Sequence, residues 1–321
     1  MAEAVYAVGL DVGGTKIAAG LVDRDGELLR EERYPTVGSP AKLLDALERA
    51  VVEACEGQSV GAVCLGVPGL IMARENRVVF SPNLRAIEGI PLKDELEHRT
   101  GSPITIENDA NAAAWGEFRF GAGSGVDNLV FVTLGTGVGG GIITEGLLLR
   151  GAHGSGGELG HTTLHATGPR CTCGNRGCFE ALASGSAIER RARELARAEP
   201  GSALGKVAAE SGEVSGEEVT RLARRGDPGA VSVLREAGRW LGIGLAGFVN
   251  VFNPEVVAVG GGVSAAGDLI LAPAREEVRL RARSPSRDLV EVREATLGAA
   301  SGMLGAAALA RDASGAYVLG E

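Results

Sequence analysis

The chain has 321 residues, 45% of them hydrophobic, which is enough apolar material for two buried cores of ordinary size. Its formal net charge of −9 repels phosphodiester backbones and anionic bilayers, and no Lys/Arg run interleaved with aromatics offsets it, so neither nucleic acid nor membrane is an expected partner. The start, Met-Ala-Glu-Ala-Val-Tyr, lacks a basic region followed by an apolar one, and the longest apolar run, 240–251, falls short of the roughly 20 residues that span a bilayer, so the expected location is the cytoplasm.

Residues 4–34 alternate in strand fashion, with predicted strands at 5–10, 17–22 and 27–33 separated by glycine-rich or Asp-Arg-Asp-Gly turns, which is the pattern of an antiparallel meander. A helical period follows over 41–54, then an apolar strand at 60–67 ending in Pro68-Gly69, a short helix at 92–98 and a strand at 104–106. From Asn128 the plan starts again: a strand at 129–134, a glycine turn and a strand at 141–144 echo residues 8–22, which predicts an internal duplication. Helices dominate after Ser186, at 186–198, 216–225 and 228–250. The chain closes with a strand at 256–259, a helix at 268–282, a strand at 290–292 and an Ala-rich helix from 298 to about 311. The class is α/β.

Four constellations carry chemistry. Asp11-Val12-Gly13-Gly14-Thr15-Lys16 sits between two strands and offers consecutive backbone N–H groups, a hydroxyl and an ammonium, which suits phosphate, with Asp11 placed to hold Mg²⁺; a plain hairpin explains the same residues equally well. Gly135-Thr136-Gly137-Val138-Gly139-Gly140-Gly141 contains a dinucleotide-type glycine spacing, but a strand follows where that motif requires a helix, so the Rossmann reading fails. Gly260-Gly261-Gly262 follows the strand at 256–259 and suits the ribose and adenine side of a nucleotide. Glu107-Asn108-Asp109-Ala110-Asn111 runs from a strand end into a helix, and carries more polar groups than a helix cap requires. Asp109 is the expected general base, accepting the proton of a sugar hydroxyl that attacks the γ-phosphoryl group, and Asn108 orients the sugar.

The most specific pattern is His161 with Cys171, Cys173 and Cys178 in a C-x-C-G-x-x-G-C run: three thiolates and an imidazole complete a tetrahedral zinc set. With all four positions filled by protein, the ion is structural and fixes Glu158, His161 and Glu180 around the substrate. Cys55 and Cys64 read as core residues, and His98, His153 and His165 carry no partner pattern.

Together these residues resemble the ROK family of sugar kinases and sugar-responsive repressors, and within it the bacterial ATP-dependent glucokinases. The matching motifs are D-x-G-G-T-K at 11–16, E-N-D-A-N-A-A-A at 107–114, G-T-G-V-G-G-G at 135–141, G-E-L-G-H at 157–161, C-x-C-G-x-x-G-C-x-E at 171–180 and N-P-E-V-V-A-V-G-G-G-V at 253–263. The resemblance implies an actin-like ATPase fold, a duplicated ribonuclease H-like plan in two α/β domains closing over ATP and sugar. It implies a small domain over 1–110, joined by a C-terminal helix at about 298–321, and a large domain over 111–297 carrying the zinc knuckle.

By position, the resemblance implies Asp109 as catalytic base and Gly69, Asn83, Asn108, Glu158, His161 and Glu180 as sugar-binding residues. Asp11, Gly13, Gly14, Thr15, Lys16, Gly135, Thr136, Gly137 and Gly261 are implied on the ATP side. The expected reaction is phosphorylation of glucose at its 6-hydroxyl, with ATP, catalytic Mg²⁺ and structural Zn²⁺, by a homodimer or homotetramer. The rivals are a kinase for N-acetylmannosamine, N-acetylglucosamine, fructose or allose, a sugar sensor without turnover, and a zinc-knuckle nucleic-acid binder, the last opposed by the charge. Polyphosphate as donor calls for a basic track that the sequence does not show.

Overall fold

A computed structural model describes residues 6–55, 57–58, 60–72, 77–81 and 83–315. The expectations touching Val5, Pro82 and the helix beyond 315 lie outside the described residues. The meander forms as read: β1 (Tyr6–Val12) and β2 (Lys16–Val22) pair antiparallel with Val12 opposite Ile17, and β3 (Leu28–Pro35) pairs antiparallel with β2. Near-continuous apolar sequence buries β1 and β2 on both faces. β3 instead alternates half-buried and exposed positions along L-L-R-E-E-R-Y-P, as an edge strand does.

Helix α1 (Pro40–Cys55) buries Leu43, Leu44, Leu47, Ala50, Val51 and Ala54, positions three and four apart on one face. Strand β4 (Val60–Val67) then pairs parallel with β1. A ribbon of β5 (Leu70–Met72) and β6 (Arg77–Phe80) and helix α2 (Leu92–Thr100) lead to β7 (Ile104–Asn108), parallel to β4, and to helix α3 (Asp109–Phe120). The sheet order is β3-β2-β1-β4-β7. Its core contains Leu10, Leu47, Leu65, Ile87 and Leu92, all fully buried and each worth about 1.5–3 kcal/mol against exposure.

The second sheet repeats this plan. Strands β8 (Leu129–Leu134), β9 (Val138–Thr144), β10 (Leu147–Leu148), β11 (Val256–Gly260) and β12 (Glu291–Glu294) lie in the order β10-β9-β8-β11-β12, with β11 parallel to both β8 and β12. In both sheets the spatial order is third, second, first, fourth, fifth, which is the duplication expected from Asn128 onward. Helices α4 (Phe179–Ala183), α5 (Gly185–Ala198), α6 (Ala203–Ser211), α7 (Gly216–Arg224) and α8 (Pro228–Phe252) fill the insertion between β10 and β11. α8 starts on an Asp227 side-chain cap with Pro228 in its first turn and stops at Asn253 in the left-handed region. Helices α9 (Asp268–Arg281), α10 (Ser286–Leu289) and α11 (Ser301–Gly315) complete the chain.

The described residues form two compact units. One holds the chain up to Asp127, Gly141–Gly157 and the part from Thr296 on; the other holds Asn128–Gly140 and Glu158–Ala295. The division differs from the expected boundary at 110, because α3 stays with the first unit by packing along α11. Gly305 is what permits that packing, since a Cβ there would overlap the Ala112 carbonyl oxygen and lie 2.6 Å from the Gly116 nitrogen. Glu117 of α3 is fully buried, and its carboxylate accepts the amides of Ala122 at 2.8 Å, Thr296 at 3.1 Å and Leu297 at 2.8 Å. No helix among the described residues is long and apolar enough to cross a membrane.

Candidate active site

In the first unit, three chain turns at the carboxyl end of the sheet bring together about half of the residues singled out by sequence. The turn from Asp11 to Lys16 is closed by the Gly13 amide on the Lys16 carbonyl at 2.8 Å and braced from β3, where the Thr36 hydroxyl donates to the Gly13 carbonyl at 2.7 Å. Asn83 lies against this turn, its carbonyl oxygen 2.9 Å from where a Cβ on Gly14 would stand. Asn108 ends β7 and caps α3. Its side-chain oxygen accepts the amides of Ala110 at 2.9 Å and Asn111 at 3.0 Å, while its Nδ2 donates to the Gly69 carbonyl at 3.1 Å. Asn108, Asp109 and Gly69 therefore share one hydrogen-bonded corner.

Asp109 is half-buried and takes one hydrogen bond from the Ala110 amide, at 2.9 Å. Burial holds its carboxyl above the ordinary carboxylate range, and the Ala110 amide and Asn108 side chain offset this only in part. Asp11, at the end of β1, is pushed up to about 6, first by burial and then by the Asp109 charge, with Lys16 acting in the opposite direction. Two carboxylates facing one partial countercharge fit a divalent cation, because a cation would relieve both the burial and the mutual repulsion.

The second unit carries the other half of the set. The Gly135–Gly137 turn is closed by the Gly135 amide on the Gly137 carbonyl at 3.0 Å, and docks on the start of α5. There the Gly185 amide donates to the Gly135 carbonyl and the Ser186 hydroxyl to the Thr136 carbonyl, both at 2.8 Å. β9 follows the turn directly, so the strand that excludes a Rossmann site is present. Gly261, at the end of β11, lies against Leu134 at the end of β8. Glu180, in the first turn of α4, accepts the Val138 amide at 3.1 Å and lies against Gly137.

His161, Cys171, Cys173 and Cys178 converge, their ligand atoms all within 4.8 Å of one another. The Cys173 and Cys178 sulfurs stand 3.7 Å apart, and the Cys171 sulfur is 3.7 Å from His161 Nδ1. Tetrahedral zinc with metal–sulfur bonds near 2.3 Å and metal–nitrogen bonds near 2.1 Å requires separations of about 3.8 Å and 3.6 Å; these two pairs already match, and the set as a whole fits zinc with shifts of about 1 Å or less. Nδ1 faces the thiols, leaving Nε2 on the side of Glu158, 4.0 Å from its carboxylate. His161 thereby serves the metal set with one nitrogen while presenting the other outward. The knuckle's second glycine is required: Gly177 has φ +64°, and a Cβ there would collide with the His165 carbonyl. Cys64 is buried in β4 and Cys55 half-buried in α1, apart from this set.

Sequence reasoning missed Arg150, which follows β10 and reaches back to the residue before Asn108: its Nε is 2.7 Å from the Glu107 carboxylate. The two residues are 43 apart in sequence, and the only sequence signal was a carboxylate in a strand that has to be buried.

Paired glycine turns, a carboxylate at a strand-to-helix corner and a His/Cys cluster that fits zinc, set on a duplicated α/β plan, are the features of a class of sugar kinases. The chain belongs to the ROK family, whose family model matches residues 7–313. It is 42% identical to the glucokinase of Streptomyces coelicolor over 95% of this chain and 97% of that one, and 39% identical to the glucokinase of Thermotoga maritima over 96% and 98%. Among solved structures, the ROK glucokinase of Streptomyces griseus in complex with glucose and AMPPNP superposes with a TM-score of 0.83 at 43% identity, covering 96% of this chain and 99% of that one. The fold is accordingly that of the actin-like ATPases.

Proposed function

We propose that this chain is an ATP-dependent kinase that transfers the γ-phosphoryl group to the 6-hydroxyl of glucose, with Asp109 as general base. The observation that carries the reading is the corner at the end of β7. A half-buried carboxylate with raised proton affinity is held there by the Ala110 amide and flanked by Asn108, in the same unit as a glycine turn bearing Lys16. Asp109 accepts the hydroxyl proton as the oxygen attacks phosphorus. Asn108, Gly69 and Asn83 in the first unit, and Glu158, His161 and Glu180 in the second, hold the sugar by charge-assisted and neutral hydrogen bonds. Gly13, Gly14, Thr15, Lys16, Gly135, Thr136, Gly137 and Gly261 hold ATP, chiefly through backbone amides.

Asp11 would hold Mg²⁺, which when bound with ATP offsets charge on the transferring group. Zinc has no open position and so a structural part only. The likeness to the proteins of S. coelicolor and T. maritima named glucokinase supports glucose as the substrate here. We further infer, from family membership, a homodimer or homotetramer in the cytoplasm, which light scattering after size-exclusion chromatography and cell fractionation test.

The deciding experiment is a coupled ADP-release assay with Mg-ATP across glucose, fructose, allose, N-acetylmannosamine and N-acetylglucosamine. Glucose exceeding every other sugar in kcat/KM by about 10-fold or more, which is ~1.4 kcal/mol of discrimination, is the expected result. Dominance of another sugar overturns the substrate, and no turnover with any overturns the kinase reading.

A further inference from the structure

The residue before the proposed catalytic corner is an acid in an unusual place. Glu107 is 5% exposed, near the end of the edge strand β7, which pairs with the apolar β4. A carboxylate in such a position is costly unless its oxygens are paired. Three donors meet it: Arg150 Nε at 2.7 Å on one oxygen, and on the other Asn111 Nδ2 at 3.0 Å and the backbone amide of Asn108 at 3.0 Å. Two of these donors belong to the corner itself. Asn108 is the cap of α3 and the partner of Gly69, and Asn111 is one helical turn on, itself buried. The Glu107 side chain thus grips the residues on both sides of Asp109, whose own carboxylate is met by the Ala110 amide and the Asn108 side chain.

The third donor ties this grip to a different stretch of chain. Arg150 uses its side chain on Glu107 and its carbonyl on the Gly156 amide, at 2.9 Å, closing the loop that ends immediately before Glu158. Gly151 turns this loop at φ +69° and packs against Gly156. One arginine therefore fastens the strand end that carries Asn108 and Asp109 and also the turn that delivers Glu158. The burial of Cys64 raises its thiol, and the opposing influences of Glu107 and Arg150 on it locate the ion pair beside β4, under the corner.

We propose that Arg150 is a positioning residue for phosphoryl transfer, acting through Glu107 to hold the Asn108–Asp109 corner and, through its own carbonyl, the turn that runs into Glu158. This rests on the reading of Asp109 as base. Without the guanidinium, Glu107 keeps a stranded charge and must turn away or take up a proton, releasing the Asn108 amide and the Asn111 side chain. A displacement of about 1 Å at a reacting group costs up to ~10²-fold in rate.

The test is a kinetic comparison of R150M, R150K, E107Q and the double variant E107Q/R150M, each in the Asp109 and the Asp109→Ala background, with thermal melts for all. R150M is expected to lose ~10- to 100-fold in kcat with KM for ATP within about 3-fold. R150K, which keeps the cation but not the planar guanidinium that places Nε on Glu107, recovers part of it. E107Q/R150M turns over faster than R150M because no charge is left buried and unpaired. In the D109A background R150M adds less than about 3-fold, since the group it positions is gone. R150M within about 3-fold of the parent, a double variant no better than R150M, or an equal loss in both backgrounds overturns the proposal. If R150M does not fold, the comparison of E107Q with the double variant decides alone. If D109A by itself turns over normally the base assignment fails, whereas the coupling between Glu107 and Arg150 is read from their own cycle.

Discussion

The Glu180 carboxylate accepts the Val138 amide at 3.1 Å with one oxygen, while its other oxygen lies 3.6 Å from the Cys171 sulfur. A single acid thus joins the metal knuckle to the glycine turn that opens β9, and it is one of the proposed sugar ligands. Glu180→Gln keeps the shape but removes the charge. kcat/KM for glucose is expected to fall about 10- to 100-fold, the worth of one charge-assisted hydrogen bond, with zinc content unchanged. An unaltered kcat/KM removes Glu180 from the sugar set.

Cys173 is the exposed member of the knuckle, so Cys173→Ser disturbs no packing and isolates the loss of a thiolate. Zinc measured by mass spectrometry should drop below one per chain, and the melting temperature should fall by about 5–10 °C. Chelation of the parent protein should reproduce the shift, and zinc, not magnesium, should reverse it. A metal-free parent with an undiminished melting temperature contradicts the structural part given to the ion.

Asp109→Ala should still bind glucose, measured by calorimetry, while turnover falls ~10²-fold or more. Because burial raises the Asp109 carboxyl, kcat/KM of the parent should rise with pH through an ionisation above the ordinary carboxylate range. Near-normal turnover in the variant excludes the base.

Asp11 gives a stability test with a defined sign. The folded chain keeps its proton up to about pH 6, whereas the unfolded chain releases it near 3.8, so between these values the folded state binds more protons and stability falls as pH rises. Asp11→Asn should therefore stabilise the metal-free protein by about 1–3 kcal/mol at pH 7–8, with the difference vanishing below about pH 4, even as turnover drops. Urea denaturation at several pH values measures it. A variant less stable than the parent at pH 8 shows that the folded site favours the charged acid.

Gly305→Ala reverses the usual effect of replacing a helical glycine, a gain of up to about 1 kcal/mol from backbone entropy. The added methyl would overlap the Ala112 carbonyl and force α3 and α11 apart, a loss of ~1–3 kcal/mol or more in denaturant unfolding. A neutral or stabilising result means that the helices separate at little cost.

What the sequence made legible follows from how local each signal is. The meander and the knuckle are local patterns and stand where they were read, whereas the glycine turn expected over 135–141 is shorter, since β9 already begins at Val138. The ribbon of β5 and β6 was not legible, because strands of three and four residues show no period, and α6 declares itself mainly by its Ser202 cap. The last strand was expected at 290–292 and lies at Glu291–Glu294, where three charged residues around Val292 blur the apolar pattern. The boundary at 110 came with the family resemblance and no local pattern marks it, because the place of α3 is decided by α11, nearly two hundred residues away. The same distance hides the Glu107–Arg150 pair and the Glu117 carboxylate that gathers Ala122, Thr296 and Leu297.

The place of α11 has a consequence for biosynthesis. This helix follows every other described element in the chain, yet it packs on β1, β2 and β4, made long before it, and its Met303 and Ala307 stand directly against Gly9. The nascent sheet therefore waits with one apolar face uncovered until the whole intervening unit has been translated. The first unit is complete only once residues 301–315 have been made, and a chain cut short before Ser301 cannot cover its own first strands.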